Sequence, residues 1–290
     1  MKKINILCIS VFVLSVVSAV IFTFFFRDDI DRIGPQIFME SDSIDAKINV
    51  SEEKLLEGVT AKDTKDGDVT ESIVIENISK FWEPGKCTVN YAAFDSDGNV
   101  GKASRTLTYT DYKSPEFEIV QPLVFEYNYS GDYTEFIKVN DCIDGDITSL
   151  VKISQESRMD FYESNNNFLK YVVTNRFGDT VELPVNVVID KYGYGNSLKL
   201  ECEKYLVYTE KDTPVDIMSY VERAIVRGVE YSLDESLDGV TVRNRINLVG
   251  DVDYKTPGIY QVDIKLSYTI DDSLSEDENS YTVPFIIVVR

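Results

Sequence analysis

Histidine is absent from the 290-residue sequence, and its absence removes several kinds of active site at once. Histidine is the side chain most often used as a general base and the commonest metal ligand. A Ser-His-Asp triad, a Cys-His pair and a histidine-ligated metal centre are therefore excluded. The sequence also contains neither a nucleophile elbow nor a phosphate-binding glycine loop. These absences predict a chain that is not an enzyme and that requires no cofactor.

Positive charge is also scarce, since 29 Lys and Arg face 50 Asp and Glu and the net charge is −21. Such a charge repels phosphate groups, so nucleic acid and anionic lipid headgroups are not expected as partners. It is compatible with divalent cations or with basic partners. A high negative charge also makes an extracytoplasmic protein soluble, and we expect this to be its main role here.

Long apolar runs are missing except at the N-terminus, where 23 residues from Ile4 to Phe26 follow Lys2 and Lys3. A membrane-spanning helix needs about 20 apolar residues, whereas the core of a signal peptide has about 7–15. Residues 1–32 are therefore predicted to be a short cytoplasmic tip, an uncleaved transmembrane anchor and a stub. Cleavage after Ala19 is the alternative. The two lysines place the N-terminus in the cytoplasm and the bulk of the chain outside.

The remaining sequence repeats itself at a spacing of about 80 residues. Three landmarks recur in the same order: Pro35 and Pro115, the Asp-Gly-Asp motifs at Asp66 and Asp144, and Tyr91 and Tyr171. A third region, diverged from the first two, repeats the pair Pro84-Gly85 as Pro257-Gly258, and its Asp-Gly-Asp is reduced to Asp238-Gly239. Self-similarity of this kind indicates tandem copies of one structural unit.

Each copy is predicted to be built from β-strands. Apolar and polar residues alternate from Tyr260 to Tyr268 and from Tyr281 to Val289, which is typical of strands with one face in a core. Helical periodicity is limited to the segment 215–225, which is read as one or two helical turns or as an irregular strand. The fold class is all-β: three antiparallel β-sandwiches, at residues 33–112, 113–192 and 193–290, after the N-terminal helix.

The first copy, "GVTAKDTKDGDVTESIVI … PGKCTVNYAAFDSDGNVGKASRTLTY", resembles the bacterial Ig-like domain of insecticidal crystal proteins and of Gram-positive surface proteins. The second copy departs from the pattern in its late turn, Asn175 to Asp179, and the third matches mainly in its last two strands. The resemblance implies an antiparallel β-sandwich for each copy. It implies little about ligands, because such domains serve as spacers, adhesion modules and carbohydrate-associated accessories.

The few cysteines do not form the internal disulfide of antibody domains. Cys87, Cys142 and Cys202 fall one in each copy, at three different positions. They are predicted to be free and mostly buried, while a bridge between copies would need Cα atoms closer than about 7 Å.

In an Ig-like sandwich the second and sixth strands end at the same pole, which predicts that acidic side chains gather there. The predicted set in the first copy is Asp63, Asp66, Asp68, Asp95 and Asp97, together with Asn99. The predicted set in the second copy is Asp141, Asp144 and Asp146, together with Asn175 and Asp179.

Two interpretations of these acidic turns stay open. Calcium takes about six to eight oxygen ligands and suits carboxylates on loops, although the spacing differs from that of an EF-hand. Alternatively, Asp and Asn hold the turns themselves by accepting hydrogen bonds from nearby backbone N–H groups, which the spacing favours. Paired carboxylates could also hydrolyse glycosides. A motif repeated in each copy is not typical of an active site, however.

Tyrosine-rich segments at Phe125–Phe136 and Lys191–Gly195 could hold sugars or proteins, or could pack in the core. The sequence thus predicts a single-pass membrane protein of a Gram-positive cell surface with a non-enzymatic display, spacer or adhesion role. Its expected partners are the membrane and a surface protein or glycan. The alternative is an accessory or sensory ectodomain of an envelope complex that binds carbohydrate. Calcium is the one ion for which a site is predicted.

Overall fold

The computed structural model describes residues 2–25, 32–161, 167–190, 197–270, 272–273 and 279–290, with the side chains of 10–22 in the first range. Contacts divide the chain into two compact units, Met1–Asp111 and Tyr112–Arg290. The chain is mostly β-structure, as predicted. The contacts divide it once, so the predicted division into three domains stays a prediction.

The apolar N-terminal run forms helix α1, Lys2–Phe25. Its described side chains, from Ser10 to Phe22, are exposed. Within the described parts of the chain, no helix combines the length and the apolarity needed to cross a membrane.

The first unit contains one copy of the predicted pattern, here called repeat 1. Its strands are β1 (Gln36–Met39), β2 (Ser43–Ala46), β3 (Val59–Asp63), β4 (Gly67–Asp68), β5 (Val74–Ile78), β6 (Lys86–Phe94) and β7 (Val100–Tyr109). They form two sheets, in the orders β1-β3-β4 and β2-β7-β6-β5. A short helix α2 (Glu52–Leu56) precedes β3, and a 3-10 turn (Thr70–Ser72) precedes β5.

The second unit begins with repeat 2, which follows the order of repeat 1 with a 3-10 turn in place of α2 and with the last strand divided in two. Its strands are β8 (Glu116–Ile119), β9 (Val124–Glu126), β10 (Ile137–Asp141), β11 (Gly145–Asp146), β12 (Lys152–Ile153), β13 (Phe168–Thr174), β14 (Thr180–Asn186) and β15 (Val188–Asp190). The sheets are β11-β10-β8, β12-β13-β14 and the pair β15-β9. Its 3-10 turns are Tyr133–Phe136 and Thr148–Leu150.

Repeat 3 completes the second unit. Its strands are β16 (Leu198–Cys202), β17 (Leu206–Thr209), β18 (Val221–Val226), β19 (Val229–Tyr231), β20 (Ser236–Leu237), β21 (Val240–Thr241), β22 (Ile246–Val249), β23 (Gly258–Ser267) and β24 (Ser280–Val289). The sheets are β16-β18-β19, β17-β24-β23-β22 and the pair β20-β21. Both alternatives for segment 215–225 occur in it, because a 3-10 turn (Ile217–Tyr220) leads directly into β18.

The prediction of wholly antiparallel sandwiches needs one correction. The second strand of each repeat pairs in parallel with the last: β2 with β7, β9 with β15, and β17 with β24. The first strand pairs antiparallel in the opposite sheet, as β1 does with β3. The chain therefore crosses from one sheet to the other between its first two short strands. This crossing covers an edge in each sheet, which protects both edges from pairing with other chains.

Buried side chains come from both sheets of each repeat, so each is a two-layer sandwich. In repeat 1, Tyr91 is fully buried and its hydroxyl donates to the carbonyl of Leu55 at 2.6 Å. Arg105, 5% exposed, donates from Nε to the Tyr91 hydroxyl at 2.8 Å and from Nη2 to the Leu55 carbonyl at 2.7 Å. In repeat 2, Tyr171 donates to the Tyr133 carbonyl at 3.0 Å. A buried tyrosine stays in the core because its hydroxyl has a partner.

Repeats 2 and 3 share a continuous hydrophobic cluster that extends from Phe117 to Val289. The backbone N–H of Phe117 donates to the Tyr208 hydroxyl at 2.7 Å, and Arg290 pairs with Glu116 at 2.7 Å. The Arg290 guanidinium also lies 4.1 Å from the centre of the Tyr208 ring. These contacts join the two repeats into one packed body.

Among the described residues Cys87, Cys142 and Cys202 form no disulfide, as predicted, and two of the three are buried. Burial raises the pKa of the Cys87 thiol to about 11 and that of the Cys202 thiol to about 12. Cys142 is exposed. Since the thiolate is the reactive form, the two buried cysteines are chemically inert at neutral pH.

Candidate functional site: two acidic poles

The predicted aspartates of repeat 1 lie where β3 and β6 end, and they hold turns. Asp63 Oδ1 accepts hydrogen bonds from the backbone N–H groups of Lys65 at 2.7 Å and Asp66 at 2.9 Å. Gly67 follows with φ of +77°, a conformation that favours glycine. The first aspartate of the predicted set is therefore the acceptor that folds the chain back into β4.

The late turn of repeat 1, residues 95–99, is held in the same way. Asp95 Oδ1 accepts from the backbone N–H groups of Asp97 at 3.0 Å and Asn99 at 2.7 Å. Asp95 Oδ2 accepts from the side-chain amide of Asn99 at 2.7 Å. Asp97 pairs with Lys65 at 2.7 Å, so a cation of the chain itself faces this carboxylate.

Asp66 links the two turns of repeat 1 to each other. Its carboxylate accepts from the backbone N–H of Ser96 at 2.8 Å and from the Ser96 hydroxyl at 2.9 Å. Asp68, by contrast, accepts from the backbone N–H of Thr70 at 3.0 Å. Four of the five predicted aspartates of repeat 1 thus take part in one connected pair of turns. This arrangement, with Asp63, Asp66, Asp95 and Asp97, is here called the acidic pole of repeat 1.

Repeat 2 builds an equivalent pole at the ends of β10 and β13. Asp141, only 2% exposed, accepts at Oδ1 from the backbone N–H groups of Ile143 and Asp144, both at 2.8 Å. Asn175 Oδ1 accepts from the backbone N–H groups of Phe177 at 3.1 Å and Asp179 at 3.0 Å. The acidic pole of repeat 2 comprises Asp141, Asp144, Asn175 and Asp179.

The amide of Asn175 completes the interior of the second pole. Its Nδ2 donates to Asp141 Oδ2 at 3.1 Å and to the Tyr112 hydroxyl at 2.9 Å. Tyr112 in turn donates to Asp179 Oδ2 at 2.7 Å. Burial, reinforced by this bond to Asp179, raises the pKa of Tyr112 well above its usual range. The hydroxyl therefore stays protonated and the network stays closed at neutral pH.

Asp144 has the same linking role in repeat 2 as Asp66 has in repeat 1. Its Oδ2 accepts from the backbone N–H of Arg176 at 3.0 Å, and its Oδ1 pairs with Arg176 Nε at 2.8 Å. Asp146 accepts from the backbone N–H of Thr148 at 2.9 Å, as Asp68 does from Thr70. In both Asp-Gly-Asp motifs the first aspartate therefore links the two turns, and the second accepts a hydrogen bond from the threonine that follows.

In repeat 3 the aspartate of the reduced motif also accepts a hydrogen bond from a residue that follows a distant strand, but different strands surround it. Asp238 and Gly239 have φ of +53° and +79° and join β20 to β21, whereas β18 continues through Arg227 and Gly228 into β19. An extra hairpin thus separates the reduced motif from the strand that it leaves in the other repeats. Asp238 Oδ2 nevertheless accepts from the hydroxyl of Tyr268, which follows β23, at 2.8 Å.

No group of three or more Asp, Glu or Cys side chains is arranged to hold a metal ion in the described part of the chain. Most of the predicted carboxylate oxygens accept hydrogen bonds from the protein. One exception is Asp63 Oδ2, which is buried and has no hydrogen-bond partner among the described residues. The turn-holding contacts are present in both poles. Calcium binding by the eight predicted aspartates stays a prediction.

The calcium prediction is tested by titration calorimetry of the full-length chain with Ca²⁺. If a cation completes the acidic pole of repeat 1, Asp63→Asn should abolish the heat that comes from this pole, because Asp63 Oδ2 has no other partner among the described residues. Asp141→Asn is the matched control, since Asp141 Oδ2 already accepts from Asn175. The absence of both heat and a thermal shift in the unaltered chain would exclude calcium.

The tyrosine-rich segment Phe125–Phe136 packs mainly on itself and on the core. The ring of Phe125 lies 5.0 Å from that of Tyr133 and 4.9 Å from that of Phe136, and Tyr129 lies 5.3 Å from Tyr133. Offset and edge-to-face contacts of this kind stabilise a core. The second such segment, Lys191–Gly195, lies outside the described residues.

Comparison with known proteins identifies no family for the chain. No protein-family profile matches it, and no curated protein sequence matches it. A solved structure of the CBM51-2 and INT domains of Clostridium perfringens ZmpB, in complex with GlcNAc, is 22% identical and has a TM-score of 0.22. The match covers 53% of this chain and 41% of that one. The chain spans less than half the length of the first three structures that it matches.

Two further structures match over most of the chain. The lipoprotein BT2262 of Bacteroides thetaiotaomicron is 12% identical, with 87% of this chain and 98% of that chain covered and a TM-score of 0.19. The protocadherin GammaB4 extracellular domain is 13% identical, with 89% and 49% covered and a TM-score of 0.18. At these TM-scores the similarities identify neither a ligand nor an activity for this chain.

Proposed function

We propose that this chain is a membrane-attached protein of the bacterial cell surface with a non-enzymatic display, spacer or adhesion role. The observation that carries the proposal is the repeated use of the acidic turns. Asp66 and Asp144 perform the same turn-to-turn link in two successive sandwiches. Polar groups that recur in repeats 1 and 2 and accept hydrogen bonds from the backbone serve the fold, which is what a spacer or display module needs.

A non-enzymatic role is supported by how the carboxylates are used. The oxygens of Asp95 and Asp141 accept hydrogen bonds from neighbouring N–H groups and are not left free for proton transfer. The absence of histidine from the sequence agrees with this. The proposal requires no cofactor and no nucleic acid, and its partners are the membrane and a surface protein or glycan.

Membrane attachment is supported by the apolar segment and by the charges that precede it. Helix α1 exposes its described apolar side chains, among them Phe12, Leu14 and Phe22. Lys2 and Lys3 place its start on the cytoplasmic side. Membership of the insecticidal-crystal-protein type of bacterial Ig-like domains belongs to the same proposal, and it rests on the Asp-Gly-Asp turns and the strand pattern around them.

The exposed Cys142 offers a direct test of location. A membrane-impermeant thiol reagent applied to intact spheroplasts should label the full-length chain at Cys142, because Cys87 and Cys202 are buried. Cys142→Ser is the matched control and should remove the label. An epitope tag placed before Met1 should be protected from external protease. Labelling that appears only after lysis would contradict the proposed orientation.

A further inference from the structure

A cleft of about 830 Å³ lies between repeats 2 and 3, within the second unit. Repeat 2 contributes residues of β8, β9 and the segment that follows β9, and repeat 3 contributes residues of β16 and β24. The cleft therefore exists only because the two sandwiches pack together. It is distinct from the acidic poles.

The charge of the cleft is strongly negative. Two lysines, Lys138 and Lys199, face six acidic side chains: Glu118, Glu126, Asp190, Glu201, Glu203 and Glu222. Glu201 is bound by Arg223, with Nη2 and Oε2 separated by 2.6 Å. A concave surface with an excess of one charge focuses its field and concentrates ligands of the opposite charge. The cleft selects for a cation.

A nearly buried tyrosine gives the cleft an uncommitted polar group. Tyr281 is 7% exposed and lines the cleft, and its hydroxyl has no hydrogen-bond partner among the described residues. Burial, followed by the nearby charge of Asp190, raises the pKa of Tyr281. The hydroxyl therefore stays neutral and can accept a hydrogen bond as well as donate one. Because Tyr281 lines the cleft, its hydroxyl is open to a hydrogen bond from a ligand held there.

Aromatic rings supply the remaining lining. Phe125, Tyr129, Phe136 and Tyr205 lie along the cleft, and the first three belong to the ring cluster described above. The face of an aromatic ring attracts a cation and also packs against methylene groups. Carboxylates, ring faces and a free hydroxyl together match an ammonium group carried on an aliphatic chain.

We propose that this cleft binds an alkylammonium ligand, a chain that carries two or more primary amines. Its ammonium groups lie between the carboxylates of the two repeats, its methylene groups pack on the rings, and one N–H donates to the Tyr281 hydroxyl. A free polyamine and the lysine side chains of a basic peptide both supply this chemistry. The proposal concerns the purified chain and does not depend on where the protein resides.

The test is titration calorimetry of the full-length chain in a mild non-ionic detergent, with spermidine in one arm and a lysine-rich peptide in the other. Tyr281→Phe should weaken binding roughly 10- to 150-fold, the value of one hydrogen bond to a charged group. The double variant Glu118→Gln, Glu222→Gln should weaken it further. The matched controls are Tyr231→Phe and Glu210→Gln, which change the same groups outside the cleft.

The outcomes separate the sources and decide the proposal. Weaker binding by the cleft variants but not by the control variants, with either ligand, supports the proposal. The ligand that binds more tightly identifies the source of the amines. Equal losses in cleft and control variants would mean non-specific attraction to an acidic protein and would overturn it. Absence of binding in both arms would overturn it as well.

Discussion

The acidic poles of repeats 1 and 2 use the same turns, yet they satisfy their buried aspartate differently. In repeat 2, Asp141 Oδ2 accepts a hydrogen bond from the Asn175 amide. In repeat 1 the position of Asn175 is taken by Asp95, which has no donor to offer, and Asp63 Oδ2 has no partner among the described residues.

The difference comes from an exchange of two residue types within one turn. Repeat 1 has Asp95 and Asn99, whereas repeat 2 has Asn175 and Asp179. In repeat 1 the amide lies at the end of the turn and donates back to Asp95. In repeat 2 the amide lies at the start and donates inward to Asp141. Both turns close equally well on their backbone bonds, so the exchange alters the interior of the pole and not the turn.

The largest expected effect comes from giving repeat 2 the residue of repeat 1. Asn175→Asp removes the donor to Asp141 and places a second carboxylate beside a buried one. We expect the free energy of unfolding of repeat 2 to fall by roughly 2–4 kcal/mol. Urea denaturation, with hydrogen exchange of residues 137–146 to locate the loss, measures it.

Asn244→Asp, an exposed position in repeat 3, is the control for the added charge. A loss in Asn175→Asp no larger than that in Asn244→Asp would show that the amide does not support the second pole.

The next effect concerns the link between the turns. Asp144→Ala removes an ion pair and a backbone bond to Arg176, and it should lower the free energy of unfolding by about 1–2 kcal/mol. Asp66→Ala removes two bonds to the neutral Ser96 and should cost about the same or slightly less. Thermal unfolding of both variants at low and high salt separates them. The loss at Asp144 should shrink with salt more than that at Asp66, and equal salt dependence would contradict the charged link.

A smaller effect of opposite sign is expected in the first pole. Asp95→Asn supplies the amide that Asp63 Oδ2 lacks, and Asn keeps an oxygen for the backbone bonds of the turn. The Asn99 amide loses its acceptor, Asp95 Oδ2, and this loss keeps the net gain small. We expect the midpoint of thermal unfolding of repeat 1 to rise by roughly 2–5 °C. Differential scanning calorimetry measures the shift. Asp97→Asn is the matched control, and a rise of the same size in that variant would mean that reduced charge repulsion is the cause.

The smallest effect is the acid sensitivity that the two motifs share. Hydrogen bonds from Thr70 lower the pKa of Asp68, and hydrogen bonds from Thr148 lower the pKa of Asp146. A lowered folded-state pKa gives stability that is present above the unfolded pKa of about 3.9 and is lost as the pH falls through the folded value. Asp68→Asn and Asp146→Asn should flatten the fall in stability below about pH 4, and an unchanged profile would contradict this.

Much of the fold could be predicted from residue patterns. The alternation along Tyr260 to Tyr268 identifies β23, and the strands that end at Asp63 and just before Asp95 locate the first pole. The parallel pairing of β2 with β7 could not be predicted, because a short strand has the same alternation whichever direction its partner runs. The hairpin inserted before Asp238 could not be predicted either, because its turn at Arg227 and Gly228 carries no acidic residue.

The link between the turns also left no signal in the sequence. The donor to Asp66 and to Asp144 is in each case a backbone N–H, which any residue at positions 96 and 176 supplies. Ser96 and Arg176 therefore share no side-chain chemistry, although they share a place in the fold.

Local patterning was sufficient for the β-class, the repeat and the residues of each acidic turn, because alternation and turn chemistry act over a few neighbouring residues. Three features depend on contacts between residues far apart in the chain. These are the unpartnered oxygen of Asp63, the core that joins repeats 2 and 3, and the cleft lined by Tyr281. Each arises where separate strands meet, and a buried polar atom gains or lacks a partner only once those strands are packed.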